Sequence, residues 1–244
     1  MDRDRPAPRW CHATTGLDDF AIVTWAVDPD RLTACLPSGF VPDVREGAAL
    51  VSAVAFLDDA FRFRALPRPR ISCGQVNYRA YVQRGDETGV WFFGTSLDSG
   101  LVRIPRLVWQ MPWYRDRVRI DADWSDAGCE SWRLRADGDW GAATIALHGT
   151  GRPFEPPSGY ADDAEVSERL LDPFVGWYGR RNGSGVGRYS VWHRPLGLEQ
   201  ATVEAATCQV FGDLGLIDES QLPISAGIQR TIQFDVHTPP VRQR

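Results

Sequence analysis

The chain has 244 residues, is 43% hydrophobic and carries a formal net charge of −5, enough apolar content for a sizeable core without the basic surplus of a nucleic-acid binder. No run approaches the roughly 20 apolar residues of a membrane span, and no apolar stretch follows the charged start Met1–Arg9, so a cytoplasmic protein with no membrane partner is expected. All 27 basic residues are arginine, which leaves no ε-amine to form a Schiff base or to be tuned as a general base.

Residues 1–18 read as a lead-in and 19–244 as a single domain, since no repeat, long linker or low-complexity segment interrupts them. Phe20–Val27 is a β-branched and aromatic run that predicts a strand. Asp28-Pro29 supplies an N-cap and a first-turn proline for a short helix, with Leu32, Cys35 and Leu36 on one face and Pro37-Ser38-Gly39 as its stop. Leu50–Leu57 predicts a second strand, and Arg62–Arg70, alternating arginine, apolar residues and proline, an irregular loop. Gln75–Gln83 and Val90–Leu97 form a hairpin around Arg84–Gly89. Leu101–Trp109 has a helical pattern that Pro105 weakens. Arg117–Asp123, Glu130–Ala136 and Ala142–Gly149 are three evenly spaced strands, as in an antiparallel sheet or barrel. Gly151–Gly159 reads as a proline-rich loop. Asp162 and Glu165 resemble a cap for a helix through Val166, Leu170 and Leu171 towards Trp177. Gly183–Gly187 is a turn, and Arg188–His193, Thr202–Phe211 and Gln229–Val236 are further strands.

Three segments carry candidate chemistry. In the strand Gln75–Val82 the side chains alternate: Val76, Tyr78, Ala80 and Val82 suit a core, while Gln75, Asn77, Arg79 and Tyr81 make a hydrogen-bonding row. That row either lines a polar pocket, with Arg79 holding a carboxylate, or faces water. Trp113 and Tyr114, after the Leu101–Trp109 segment, are either cavity wall and hydroxyl donor or core packing. His193, between Trp192 and Pro195, has the side chain best suited to proton transfer near neutral pH, or is a histidine bonded to backbone. The five cysteines, Cys11, Cys35, Cys73, Cys129 and Cys208, lack C-x-x-C spacing and read as isolated thiols. Neither a metal spacing, a Gly-x-Ser-x-Gly elbow nor a phosphate loop is present. Gly183–Gly187 lacks the flanking strand and helix of a dinucleotide fingerprint. No cofactor is therefore expected.

Several stretches resemble the YqjF-like family of the acetoacetate decarboxylase-like superfamily. They are Trp25–Leu32, Leu36-Pro37-Ser38-Gly39, Asn77–Val82, Gly89-Val90-Trp91-Phe92-Phe93 and Trp192–Leu196, spread from about residue 20 to residue 200. Acetoacetate decarboxylases carry a Gly-Phe-Pro-Lys-Lys stretch whose first lysine forms the Schiff base. The matching context here reads Gln110-Met111-Pro112-Trp113-Tyr114, with Trp113 and Tyr114 where the lysines would be. The family usually has Glu where this chain has Gln75.

The resemblance implies a mainly β (α+β) fold: a cone-shaped antiparallel β-barrel with a central cavity, a flanking sheet and a few short helices. Fold likeness alone does not fix function, and one reading is an enzyme for a small carboxylate or keto compound, working by proton transfer as a lyase, cyclase or isomerase, in secondary metabolism. In that reading Tyr114 and His193 are catalytic, Arg79, Gln75, Asn77 and Trp113 bind the substrate, and no metal takes part. The alternative is a non-catalytic binding protein using the same cavity. The partner is a small molecule in both readings, and both are compatible with a homo-oligomer.

Overall fold

The computed structural model describes residues 9–10, 12–63, 66–138 and 140–243. A long strand, β1 (Ala13–Val27), leads into helix α1 (Pro29–Cys35), where the Asp28 carboxylate accepts from the amides of Asp30 and Arg31. This is how an N-cap satisfies first-turn donors. The two-residue β2 (Val41–Pro42) precedes a meander of three long strands, β3 (Ala49–Phe63), β4 (Leu66–Arg84) and β5 (Glu87–Leu97). A 3₁₀ turn at Gly100–Val102 opens α2 (Arg103–Val108), and β6 (Trp113–Arg115) then runs parallel to β5. The three expected strands follow as β7 (Arg117–Ser125), β8 (Gly128–Asp137) and β9 (Ala143–Pro153). Helix α3 (Asp163–Val166) continues into a π-helical turn at Ser167–Leu171. The chain ends with β10 (Val175–Gly179), β11 (Val186–His193), β12 (Glu199–Cys208), α4 (Gln209–Asp213) and β13 (Ser225–Gln243).

Seven strands close into a barrel in the order β1-β3-β4-β5-β10-β11-β13, because β13 pairs back onto β1 from Ala13↔Val236 to Thr24↔Ser225. Neighbours in this ring are antiparallel except β5–β10. From β13 the sheet branches through β12, β9, β8 and β7 into a flanking layer. Mainly β, with a barrel, a flanking sheet and a few short helices, this is the fold class expected.

Period-two alternation divides the barrel wall between two cores. Val51, Ala53 and Ala55 of β3 and Val76, Tyr78, Ala80 and Val82 of β4 face outward, against Trp132, Leu134, Ile145 and Leu147 of the flanking sheet. Val54 and Phe56 point inward, to Leu17, Phe20 and Ile22 of β1. Strands buried on both faces read as continuous apolar runs, which explains the Phe20–Val27 and Leu50–Leu57 patterns. A bulge between Asp18 and Ala21, with Asp19 at φ 50, resets the phase of β1. It places Leu17 and Phe20 in the same inner cluster although they are three residues apart. The Asp19 carbonyl and carboxylate accept from the indole N–H groups of Trp132 and Trp124, each at 2.7 Å, tying the bulge to the flanking sheet.

Four expectations are corrected. The lead-in is shorter than 1–18, because β1 already pairs with β13 from Ala13. Arg62–Arg70 is not an irregular loop: β3 runs to Phe63 and β4 starts at Leu66, Arg64 and Ala65 lying outside the described residues. Pro67 and Pro69 fall in the register shift between Phe63↔Leu66 and Phe61↔Ile71, where no ladder donor is needed. The helix after Asp162 stops at Leu171 before Pro173, and Trp177 sits in β10. Thr202–Phe211 is strand only to Cys208, after which Phe211 belongs to α4.

Barrel closure at β5–β10 needs a close backbone approach at Gly89, where a Cβ would lie 2.4 Å from the Val175 carbonyl oxygen and 2.8 Å from the Trp177 ring. A backbone oxygen in a paired strand cannot step aside cheaply. Gly89→Ala should destabilise by roughly 1–3 kcal/mol, as overpacking does. That corresponds to a fall in Tm of about 2–4 °C per kcal/mol at this chain length. A variant melting with the wild type would remove this strand junction as a source of closure.

Candidate active site inside the barrel

A cavity of about 200 Å³ lies within the barrel, lined from β1, β3, β4, β5, β11 and β13, with α2, Trp113 and the Leu171–Pro173 segment adding to its wall. Most of the wall is apolar, including Phe20, Phe56, Phe92, Phe234 and Trp113. The polar row of β4 points into it: Gln75 is 8% exposed, Arg79 is 9% exposed and Asn77 is half-buried. Asn77 Oδ1 accepts from Gln75 Nε2 at 3.0 Å and from the Thr95 hydroxyl at 2.8 Å. The amide row is therefore fixed by its own bonds, with Thr95 on β5 directly opposite Asn77.

Arg79 is the least satisfied group of the wall. Its Nη2 donates to the Tyr81 hydroxyl at 3.2 Å and to the Leu170 carbonyl at 3.1 Å, while its buried Nε meets no acceptor. Among the described residues no carboxylate forms an ion pair with it. A buried cation without an anion is costly, and the free donors make Arg79 a receptor for one.

His193 ends β11 with a side chain 4% exposed, stacked on Phe234 at 4.0 Å between ring centres. Its Nδ1 lies 2.8 Å from the Arg194 carbonyl oxygen and 3.2 Å from Asp172 Oδ1. Both neighbours are acceptors, so Nδ1 carries the proton and Nε2 of the neutral ring keeps its lone pair. Burial holds the imidazole below its usual range and the nearby Arg79 charge adds to this, against the opposing pull of Asp172 and the Arg194 carbonyl. Neutral at pH 7, with Nδ1 held by the Arg194 carbonyl and a carboxylate oxygen 3.2 Å away, it has a ring nitrogen suited to act as a general base.

The π-helical turn joins these two groups. Leu170 gives the carbonyl that holds Arg79, Leu171 and Pro173 line the cavity, and Asp172 sets its carboxylate 3.2 Å from His193 Nδ1. The Asp172 carboxylate is held in turn by the Ser167 hydroxyl. Such π segments are frequent at functional sites.

Strand alternation separates the two aromatic candidates. Trp113 lines the cavity, whereas Tyr114 is not among its lining residues. Tyr114 stacks on Trp140 at 4.1 Å with the rings 9° apart, and the Arg106 guanidinium lies 5.6 Å from its centre. The expected hydroxyl donor is thus packed on the far side of β6, and the cavity keeps Gln75, Asn77, Arg79, Trp113 and His193.

Asp58 was not anticipated from the sequence. It follows Val54 and Phe56 on the inner face of β3, is 8% exposed and accepts from the Thr15 hydroxyl. Burial, with a smaller push from Asp59, raises its carboxyl to about 6 against the Thr15 bond. The signal was the period-two face continuing past Leu57, where the expected strand stopped. Because the folded value exceeds the unfolded one, protonation of Asp58 favours the fold: its cost to stability is absent below about pH 4 and grows as pH rises to about 6. The gap from 3.8 to about 6 corresponds to on the order of 3 kcal/mol. Asp58→Asn should therefore be more stable than the wild type at pH 8 and match it near pH 4, measured by urea unfolding at both. Parallel pH dependences in the two proteins would count against a buried, destabilising carboxylate.

Among the described residues no three His, Cys, Asp or Glu side chains converge as a metal site. Nor is any helix there long and apolar enough to cross a membrane. Of the described cysteines, Cys73 lines the cavity, and burial raises its thiol to about 12, so it is protonated and unreactive as a nucleophile at neutral pH.

The sequence matches the family model DUF2071, described as an uncharacterized conserved protein (COG2071), over residues 14–229. The chain belongs to the DUF2071 family. This is the YqjF-like group that the sequence resembles. Among curated proteins none matches. Solved structures share the fold. An acetoacetate decarboxylase-like enzyme from Sphingomonas wittichii RW1 aligns at 12% identity and a TM-score of 0.61, covering 94% of this chain and 91% of its own. Acetoacetate decarboxylase from Legionella pneumophila subsp. pneumophila str. Philadelphia 1 aligns at 14% and 0.61, with 96% and 90% covered. The enduracididine biosynthesis enzyme MppR complexed with pyruvate aligns at 13% and 0.61, with 97% and 91% covered. At these identities the likeness is one of fold: this DUF2071 chain has the acetoacetate decarboxylase-like architecture.

Proposed function

We propose that this DUF2071 protein is a small-molecule enzyme that moves a proton on a small carboxylate or keto compound, in a lyase, cyclase or isomerase reaction without a covalent amine. The observation that carries this reading is a buried arginine with an unmet Nε donor in the same cavity as a buried histidine whose Nδ1 is bonded and whose Nε2 has no hydrogen bond among the described residues. Arg79 holds the carboxylate, and Gln75 and Asn77 offer amide groups beside it. Trp113 and the phenylalanines exclude water, and His193 takes a proton from the carbon next to a carbonyl. The sequence contains no lysine, so the electron pair of the broken C–H bond passes to the carbonyl oxygen as an enolate, with no lysine imine or enamine formed. The fold relative complexed with pyruvate makes 2-keto acids the first probes, and secondary metabolism the setting.

Proton abstraction can be read without knowing the full reaction. Incubated with a panel of 2-keto acids in D₂O, the protein is expected to speed deuterium incorporation at C3 of at least one member, followed by NMR. The rate should climb with pH through the depressed ionisation of His193, below 6.5, and level off near neutrality. Tight retention of a panel member without exchange would replace this reading by that of a binding protein.

A further inference from the structure

The cavity's size, charge and wall together define a ligand class narrower than small carboxylates. We propose that its occupant is an aromatic monocarboxylate: one flat ring between the barrel's phenyl groups, with a single carboxylate on Arg79. This rests on the carboxylate reading above and specifies its substrate.

Volume sets the first bound. An apolar cavity of about 150 Å³ accommodates a benzene ring, and about 200 Å³ is available here. The excess suits a ring with one carboxyl-bearing substituent. Acetoacetate or pyruvate would leave apolar wall uncovered, and uncovered wall loses dispersion contacts outright.

The wall sets the second. Phe56 and Phe20 stack nearly parallel, 4° apart with centres at 6.2 Å. On other parts of the wall Phe92 stacks on Tyr189 at 5.5 Å and Phe234 on His193 at 4.0 Å. Aromatic rings at several points of one cavity wall favour a planar π-system over a branched or sugar-like body.

Charge sets the third. Among the described residues of the lining Arg79 is the one cation, and its Nε is buried without an acceptor. The two acids nearby are otherwise engaged: Asp172 faces His193, and Asp58 accepts from Thr15. One carboxylate on the ligand pairs with the guanidinium whose buried Nε lacks an acceptor. A second would rest against apolar wall, where an unpaired charge is strongly disfavoured. This selects against dicarboxylates and doubly charged phosphate esters.

The test is titration calorimetry of the intact protein with a matched set: phenylpyruvate, phenylacetate, phenylacetamide, phenyl phosphate, pyruvate and acetoacetate. The two aryl acids are expected to bind at least tenfold more tightly than pyruvate or acetoacetate. Phenylacetamide, which keeps the ring and loses the charge, and phenyl phosphate should fall to the level of the short acids or below. Phe92→Ala should weaken the aryl acids more than pyruvate, with Tm recorded to confirm folding. Pyruvate or acetoacetate binding as tightly as the aryl acids would overturn the aromatic assignment and leave the carboxylate reading standing. Equal binding of phenylacetamide and phenylacetate, or no binding by any acid, would overturn both.

Discussion

His193→Gln is expected to lower the rate of deuterium exchange into a bound keto acid by roughly 10²–10⁴, the usual worth of a positioned general base, while changing ligand affinity only a few-fold. Glutamine can still donate an amide hydrogen to the Arg194 carbonyl, which accepts from Nδ1 at 2.8 Å in the native chain. The strand end therefore keeps its main bond, and only the basic nitrogen is lost. Asp172→Asn provides a readout that a purely structural histidine would not give. The Asp172 carboxylate pulls the imidazole ionisation upward against burial. Its neutralisation should therefore move the exchange profile to lower pH, besides slowing the reaction by loosening the ring. Stopped NMR time courses between pH 5 and 8 measure both effects. A pH profile unmoved by Asp172→Asn, or a His193→Gln variant whose activity and Tm fall together, would return His193 to a packing role.

Much of this architecture is written in local pattern, and the parts that are not have identifiable causes. The row Gln75, Asn77, Arg79 was legible because strand alternation allows only two faces, and the apolar face, Val76 to Val82, claims the core. Whether the polar face saw water or a cavity was not legible. That depends on β13 returning across more than 200 residues of chain to pair with β1, and no window of sequence records such a closure. Trp113 and Tyr114 differ by one position, hence by one face. Only the parallel pairing Thr95↔Trp113 sets which ring enters the barrel. Asp58 was hidden because a buried carboxylate at the end of an apolar run looks like the polar punctuation after a strand. The strand β10 was hidden in the same way, by a helical pattern through Leu171 that Pro173 interrupts. The partner of His193 could not be read either, since Asp172 is brought to it by the π-helical turn and lies 21 residues away in sequence.

Arg79→Met is expected to separate binding from folding more sharply than any other single change. In most buried ion pairs, removal of one partner leaves the other charge stranded and costs about 3–5 kcal/mol. Arg79 has no such partner among the described residues, and its Nε is already unsatisfied. Methionine of similar length removes a desolvated charge and fills the same channel with apolar volume. What the variant loses are the bonds to the Leu170 carbonyl and the Tyr81 hydroxyl. The Tyr81 hydroxyl stays paired with the Ser52 hydroxyl at 2.8 Å. The two effects oppose each other, each on the order of 1–3 kcal/mol. The empty variant should therefore unfold within about 1 kcal/mol of the wild type, or above it. Affinity for a carboxylate ligand should nonetheless drop by roughly ten- to a hundredfold, the worth of a charge-assisted hydrogen bond of about 1.5–3 kcal/mol. Urea unfolding without ligand and calorimetry with it measure the two quantities on the same preparation. A stability loss of several kcal/mol would mean that Arg79 braces the barrel end against Leu170. Unchanged affinity would place the carboxylate elsewhere in the cavity. Because an unpaired buried charge weakens the empty protein and serves only an anion, a stable variant that no longer binds carboxylate would mark Arg79 as a residue kept for its ligand at the expense of the fold.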